Sequence, residues 1–241
     1  MVITSSTCKV WSRLERKKKD GSTVILRFQE LPPERIKEAM DLIIKYILRD
    51  EVIHRAIGIY KNAEATLEYR TVMNKMFELN PPHITICCVD DGSKLGGELA
   101  GISKIAFKDK SGSCADFFEL FKINTKEMEK FVKAVLVLEN PKDLKDKYPH
   151  HTYGKGIAVH PDYRGMGIAT EFIRIRNLIC TEHNVPMSTA LMTARGSQRA
   201  AEANGWKLFE IVYPKDISVK TGIEFEEGTP PFKRMYNVHD K

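Results

Sequence analysis

The 241-residue sequence predicts an α/β (α+β) chain built on a central sheet flanked by helices. Two patterns predict it. Segments of strand-like composition alternate with segments whose apolar residues recur at helical spacing, along most of the chain. One stretch, "GIAVHPDYRGMGIATEFIRIR" at 156–176, runs an apolar strand into a proline, an arginine and two glycines, and from there into a helix. Composition agrees, since 42% hydrophobic and 29% charged residues describe a globular chain with a sizeable core.

The charged cluster "RLERKKKDG" at 13–21 reads as part of a solvated N-terminal arm, 1–20, with a nuclear signal or a membrane-surface patch as the functional alternatives. One domain, 21–241, follows. "STVILRFQEL" (22–31) is the first strand. "PPERIKEAMDLIIKYILRDE" is a helix opened by proline, with Ile36, Met40, Ile43, Ile44 and Ile47 on one face. A second helix, 62–79, is closed by Asn80, Pro81 and Pro82. "HITICCV" and "ELAGISKIAF" bracket "DDGSKLGG" as a hairpin. Over 109–149 the only clear element is a helix, "KEMEKFVKAVLVLE". A strand at 151–159 comes next, followed by a long helix from about 164 to 183 and the strand "MSTALMT". A helix through "SQRAAEAN" stops at Gly205, and the strands "WKLFEIVY" and "FKRMYNV" finish a sheet of about seven strands.

A formal charge of +6 and a pI near 8.9 point to anionic partners. No basic stripe interleaves with aromatics, so a phosphorylated small molecule fits better than nucleic acid. Five cysteines without a CxxC pair or His/Cys metal spacing read as reduced thiols and no metal site. Cys180 reads as core, and His150, His151 and His160 as sheet-edge or surface residues. The sequence offers no apolar run suited to a signal peptide or membrane span, which gives a cytosolic expectation and no membrane partner. There is no GxSxG elbow for hydrolysis.

Strand, Pro161, Arg164, Gly165, Gly167 and helix together suit a diphosphate. A helix N-terminus offers unpaired N–H groups and partial positive charge, and glycines there let a large anion approach. The spacing is not that of a P-loop, and "GMGIAT" meets a dinucleotide fingerprint only in part. A tight strand-to-helix turn that binds nothing is the alternative.

"VHPDYRGMGIA" resembles the acetyl-CoA motif V-x-P-x-x-R-G-x-G-I-[GA] of the GNAT superfamily of N-acetyltransferases. Arg164, Gly167 and Ala169 meet the motif's core and Gly165 is its usual extra glycine. The resemblance covers about 23–238, with 109–149 as an insertion. It implies the GNAT fold, with a mixed, mostly antiparallel sheet splayed between the fourth and fifth strands, and acetyl-CoA as cosubstrate. It also implies a cofactor site at Ile157, Ala158, Val159, Arg164, Gly165, Met166, Gly167, Ile168, Ala169 and Thr170. Within the superfamily the chain is most similar to insect arylalkylamine N-acetyltransferases of the dopamine N-acetyltransferase type. Their "DEPL" is here "DEVI", which puts Glu51 at the general base. Thr193 and Ser197 fit the family's hydroxyl pair four residues apart, although serine is commoner at the first. Ala201 stands where many members carry a tyrosine acid.

The reaction calls for the same parts. An alkylamine with a pKa near 10.4 arrives as a cation, so a carboxylate must attract it and remove a proton, and burial would raise that carboxylate toward the working pH. A backbone N–H around Ala158 or Val159 would steady the oxyanion. The departing thiolate needs only a weak donor such as Ser197 or water. Capping and strand-end roles are the plain alternatives for Ser197 and Thr193, and a surface acid for Glu51. The expected function is acetyl transfer from acetyl-CoA to the amine of a small arylalkylamine such as dopamine, tryptamine or serotonin, by a monomer. Polyamines, other alkylamines and protein lysines are alternative acceptors, and an acetyl-CoA-binding module without activity is the alternative of another class.

Overall fold

The computed structural model describes residues 8–79, 81–109, 114–139 and 142–239. Among them eight strands form one sheet in the order β1-β2-β3-β4-β5-β6-β8-β7. The strands are β1 (Val10–Lys17), β2 (Thr23–Glu30), β3 (His83–Val89), β4 (Leu99–Lys108), β5 (His151–Val159), β6 (Met187–Met192), β7 (Lys207–Val212) and β8 (Phe232–Val238). Every neighbouring pair is antiparallel except β5 and β6. Those two pair only at Thr152 with Ser188 and Tyr153 with Thr189, so the sheet opens into a V beyond them. Seven strands are the expected ones, and the V lies between the expected fourth and fifth.

The eighth is β1, in the segment expected to be a solvated arm. From Ser12 to Lys17 its residues alternate half-buried and exposed, with Arg13, Glu15 and Lys17 outward and Leu14 packed on the core. A charge run thus disguises a period-2 strand. Residues 1–7 of that arm lie outside the described residues, as does Asn80.

Among the described residues ten α-helical segments flank the sheet: α1 (Ile36–Leu42), α2 (Leu48–Asp50), α3 (Val52–Ile57), α4 (Ala63–Leu79), α5 (Cys114–Phe118), α6 (Lys126–Val137), α7 (Lys142–Lys147), α8 (Ile168–Glu182), α9 (Arg195–Glu202) and α10 (Pro214–Thr221). A π-helical turn, Ile43–Ile47, joins α1 to α2; Met40, Ile43 and Ile47 of the expected face are buried, while Ile36, at the start of α1, is 45% exposed. α3 and α10 are additional to the expected helices, as are α5 and α7 within the 109–149 segment. α8 begins at Ile168, four residues after the expected start, because Gly165 and Gly167 hold the chain in the left-handed region.

Strand alternation divides the core. Ile86, Cys88 and Ile102 pack toward α1, α4 and α6, whereas Leu26, Phe28 and Cys87 pack against Phe172 and Ile175 of α8. Cys8, Cys87, Cys88 and Cys180 are free thiols, and Cys180 is fully buried as expected. No helix among the described residues is long and apolar enough to cross a membrane. None of their His, Cys, Asp and Glu side chains form a group of three or more suited to a metal.

Candidate active site

A cavity of about 1060 Å³ occupies the V and continues beneath α3, α4 and α6. The loop after β5 lines one part of it. Gly165 (φ +85°) and Gly167 (φ +77°) take conformations that side chains disfavour, and Gly167 is the N-cap of α8. A Cβ on Gly165 would meet nothing within 4 Å, and one on Gly167 only the Arg16 guanidinium at 3.7 Å. The backbone is therefore bare over open space at a helix N-terminus. Ile157, Ala158 and Val159 pair with Ser103, Ile102 and Gly101 of β4 but have no pairing with β6, which leaves their other edge toward the V.

The side chains of the loop divide. Met166 and Ile168 turn into the core, so only their backbone belongs to the site. Ala169 and Thr170 line the cavity in the first turn of α8. Arg164 donates through Nε to the Val159 carbonyl and pairs with Asp50. It is thus already held by an acid. A second arginine, which sequence reasoning missed, reaches the loop from β1: Arg16 Nε donates to the Met166 carbonyl at 2.9 Å.

Beside the Asp50 that pairs with Arg164, Glu51 caps α3. Its Oε2 accepts from the Ile53 and His54 N–H groups at 3.0 Å each and lies 2.6 Å from His54 Nδ1. Its Oε1 accepts from the Thr193 hydroxyl at 2.7 Å. The structure therefore joins two of the expected residues, Glu51 and Thr193, from opposite sides of the V. Ser197 lines the same cavity, but its hydroxyl donates to the Ala194 carbonyl at 2.8 Å. His54 was not anticipated. Its Nε2 lies 3.4 Å from the Tyr69 hydroxyl, and its ring packs against Tyr69 and Phe131 with centroids 5.6 and 5.3 Å away.

Glu51 departs from expectation in its ionisation. Burial pushes the carboxyl up, but the His54 ring, the His54 N–H and the Thr193 hydroxyl outweigh it and hold the group at about 2. A carboxyl below its unfolded value of 4.5 stabilises the fold above that pH and loses the contribution as pH falls toward 2. Wild type should therefore lose stability between about pH 4.5 and 2 more steeply than Glu51→Gln, by at most about 3 kcal/mol. Urea midpoints measured across that window check this, and parallel curves would show that the carboxylate is not so held.

A family model described as the acetyltransferase (GNAT) family matches residues 52–175. Among solved structures, the chain is similar to a putative arylalkylamine N-acetyltransferase 7 from the yellow fever mosquito Aedes aegypti. That match has 22% identity over 99% of this chain and 98% of the other, with a TM-score of 0.83. Arylalkylamine N-acetyltransferase 2 from Aedes aegypti matches at 13% identity, covering 89% of this chain and 99% of its own, with a TM-score of 0.69. A Drosophila melanogaster polyamine N-acetyltransferase that catalyses formation of N-acetylagmatine matches at 10% identity, covering 88% and 99%, with a TM-score of 0.65. Such identities establish likeness of fold. Among curated proteins nothing matches the chain.

Proposed function

The chain belongs to the acetyltransferase (GNAT) family, and from that premise we propose that it transfers an acetyl group from acetyl-CoA directly to the primary amine of a small arylalkylamine. The observation that carries this reading is the single cavity that joins a glycine loop at the N-terminus of α8 to the Glu51–Thr193 contact across the V. Aromatic walls, among them Phe117, Phe118, Phe131 and Tyr69, suit an aryl body. One domain, 21–241 together with β1 of the preceding segment, carries the activity, with 109–149 as an insertion that supplies Phe117, Phe118 and Phe131. The protein acts as a cytoplasmic monomer and uses no metal.

Acetyl-CoA supplies the activated acyl group and a leaving thiol. The loop N–H groups at Gly165–Thr170 and the free edge of Ile157–Val159 hold it, with Arg164 and Arg16 as cations beside the loop. A backbone N–H around Ala158 or Val159 steadies developing negative charge at the carbonyl. Glu51, ionised at every working pH, draws the ammonium of the acceptor. A carboxyl held at about 2 is a poor final sink for a proton from an amine near 10.4. His54 meets that need, since Glu51 fixes its Nδ1 and the residue lines the cavity beside Tyr69. Ser197 serves as the weak donor to the departing thiolate.

Gly167→Ala tests the cradle, with Gly228→Ala as its control. Both glycines have φ +77°, and a Cβ would meet nothing closer than the Arg16 guanidinium at 3.7 Å at Gly167 and nothing within 4 Å at Gly228, so both variants carry similar strain, of roughly 1–2 kcal/mol. Calorimetry should find acetyl-CoA binding weakened about tenfold or more in the first and unchanged in the second. Wild-type affinity in folded Gly167→Ala would remove the loop from the site.

A further inference from the structure

Lys104 is 5% exposed, yet it lines the cavity. Alternation along β4 turns Lys104, Ala106 and Lys108 to this face, and Tyr153 and Lys155 of the neighbouring β5 line it too. No ion pair among the described residues involves Lys104. Four acids line the cavity: Asp50 pairs with Arg164, Glu51 with His54 and Thr193, and Glu139 with Lys145, while Asp109 lies just past the end of β4. Burial, reinforced by the like charge of Lys155, pushes the Lys104 ammonium down to about 8. A buried cation without a counter-ion is destabilising, and a methionine of similar length would pack the same space without that penalty. Where such a cation faces a ligand cavity, an anionic ligand group restores the balance.

We propose that Lys104 forms a carboxylate-binding subsite in this cavity, with Lys155 as a second cation beside it. The inference rests on the transferase reading only in naming what brings the carboxylate: the acceptor, beside its amine, or the donor, at the far end of its acyl chain. Aromatic side chains around the cavity give the acceptor an aryl body, so where the acceptor brings the carboxylate its class is an aryl amine bearing one. Polyamines, which bring additional positive charge, are disfavoured by the same pair of lysines.

The test uses binding, which needs no turnover. In one arm 3-phenylpropanoate and its neutral isostere 3-phenylpropanamide are titrated into the full chain, with and without CoA. In the other, succinyl-CoA is compared with acetyl-CoA. The carboxylate should bind about tenfold or more tightly than its neutral partner in the first arm, or in the second if the donor is its source. Lys104→Met should erase the preference and Lys104→Arg retain part of it. Both variants should fold, Lys104→Met with an unfolding midpoint at or above wild type because a buried unpaired charge is gone. No preference in either arm, or one that survives in Lys104→Met, overturns the subsite. Failure of the transferase reading is a different result: the probes bind as expected, but no amine in a panel releases free CoA from acetyl-CoA.

Discussion

Glu51→Gln is expected to lower turnover of a basic arylalkylamine at pH 7 by about 100-fold or more, with acetyl-CoA affinity unchanged. Glutamine keeps the size of the side chain, and its carbonyl can still accept from the Ile53 and His54 N–H groups that open α3. What disappears is the charge that attracts the ammonium and fixes His54 Nδ1. Because Glu51 is held at about 2, it is ionised throughout any practical assay and contributes no limb to the pH–rate profile. The rise of rate with pH should therefore survive, at reduced height, in Glu51→Gln. In His54→Gln it should shift toward the free amine's own titration near 10. Weakly basic amines, which enter already neutral, should suffer a smaller penalty in either variant. Wild-type turnover in Glu51→Gln at pH 7 would reduce Glu51 to a helix cap. A limb that vanishes with Glu51 and persists without His54 would return the proton to the carboxylate.

What the sequence disclosed about this site follows from how local each piece is. The loop was legible because strand, Arg164, two glycines and helix are contiguous, and the reason for them, a bare helix N-terminus, is a local one. Glu51 and Thr193 emerged only through resemblance, as they are 142 residues apart and meet across the V. Their contact has no local signature. Arg16 and Met166, 150 residues apart, were hidden for the same reason, compounded by a charge run that masked β1. α3 was missed because glutamate is not among the residues that usually announce a helix start. α10 did carry signals, Pro214 at its first position and Gly222 just past its end, but eight residues made a weak pattern. The π-helical turn falls in "LIIKYIL", an apolar run with no feature that separates it from ordinary α-helix. The ionisation of Glu51 was misjudged because burial alone was weighed, while the outcome depends on donors that only the folded chain assembles.

Arg176→Met is expected to destabilise the fold by about 2–4 kcal/mol and to lower turnover as well. Arg176 is 2% exposed on α8, where it donates to the Ser103 hydroxyl at 3.0 Å and to the Lys104 and Gly156 carbonyls at 3.2 Å each. These acceptors flank the place where the β4–β5 register shifts, between Ser103 and Ile105, and where Gly156 takes φ +115°. Gly154 completes the fit, since a Cβ there would lie 2.6 Å from the guanidinium and 2.7 Å from Ala190 Cβ. One buried side chain thus holds β5 just beyond its last pairing with β6, at the opening of the V. Burial pushes Arg176 down to about 10, so it remains charged at neutral pH, and no ion pair among the described residues involves it. Methionine fills much of the space but donates nothing. It leaves two carbonyls and a hydroxyl without their donor, at roughly 1–3 kcal/mol for each acceptor that stays unsatisfied, offset in part by removal of a desolvated charge. Because the Gly156 carbonyl is then free to move, the edge at Ile157–Val159 should lose its fixed orientation, and acetyl-CoA affinity should fall together with stability. Urea unfolding and calorimetry on the same preparation check both. A variant within about 0.5 kcal/mol of wild type, the usual range for surface substitutions, would mean that the V is held open without Arg176.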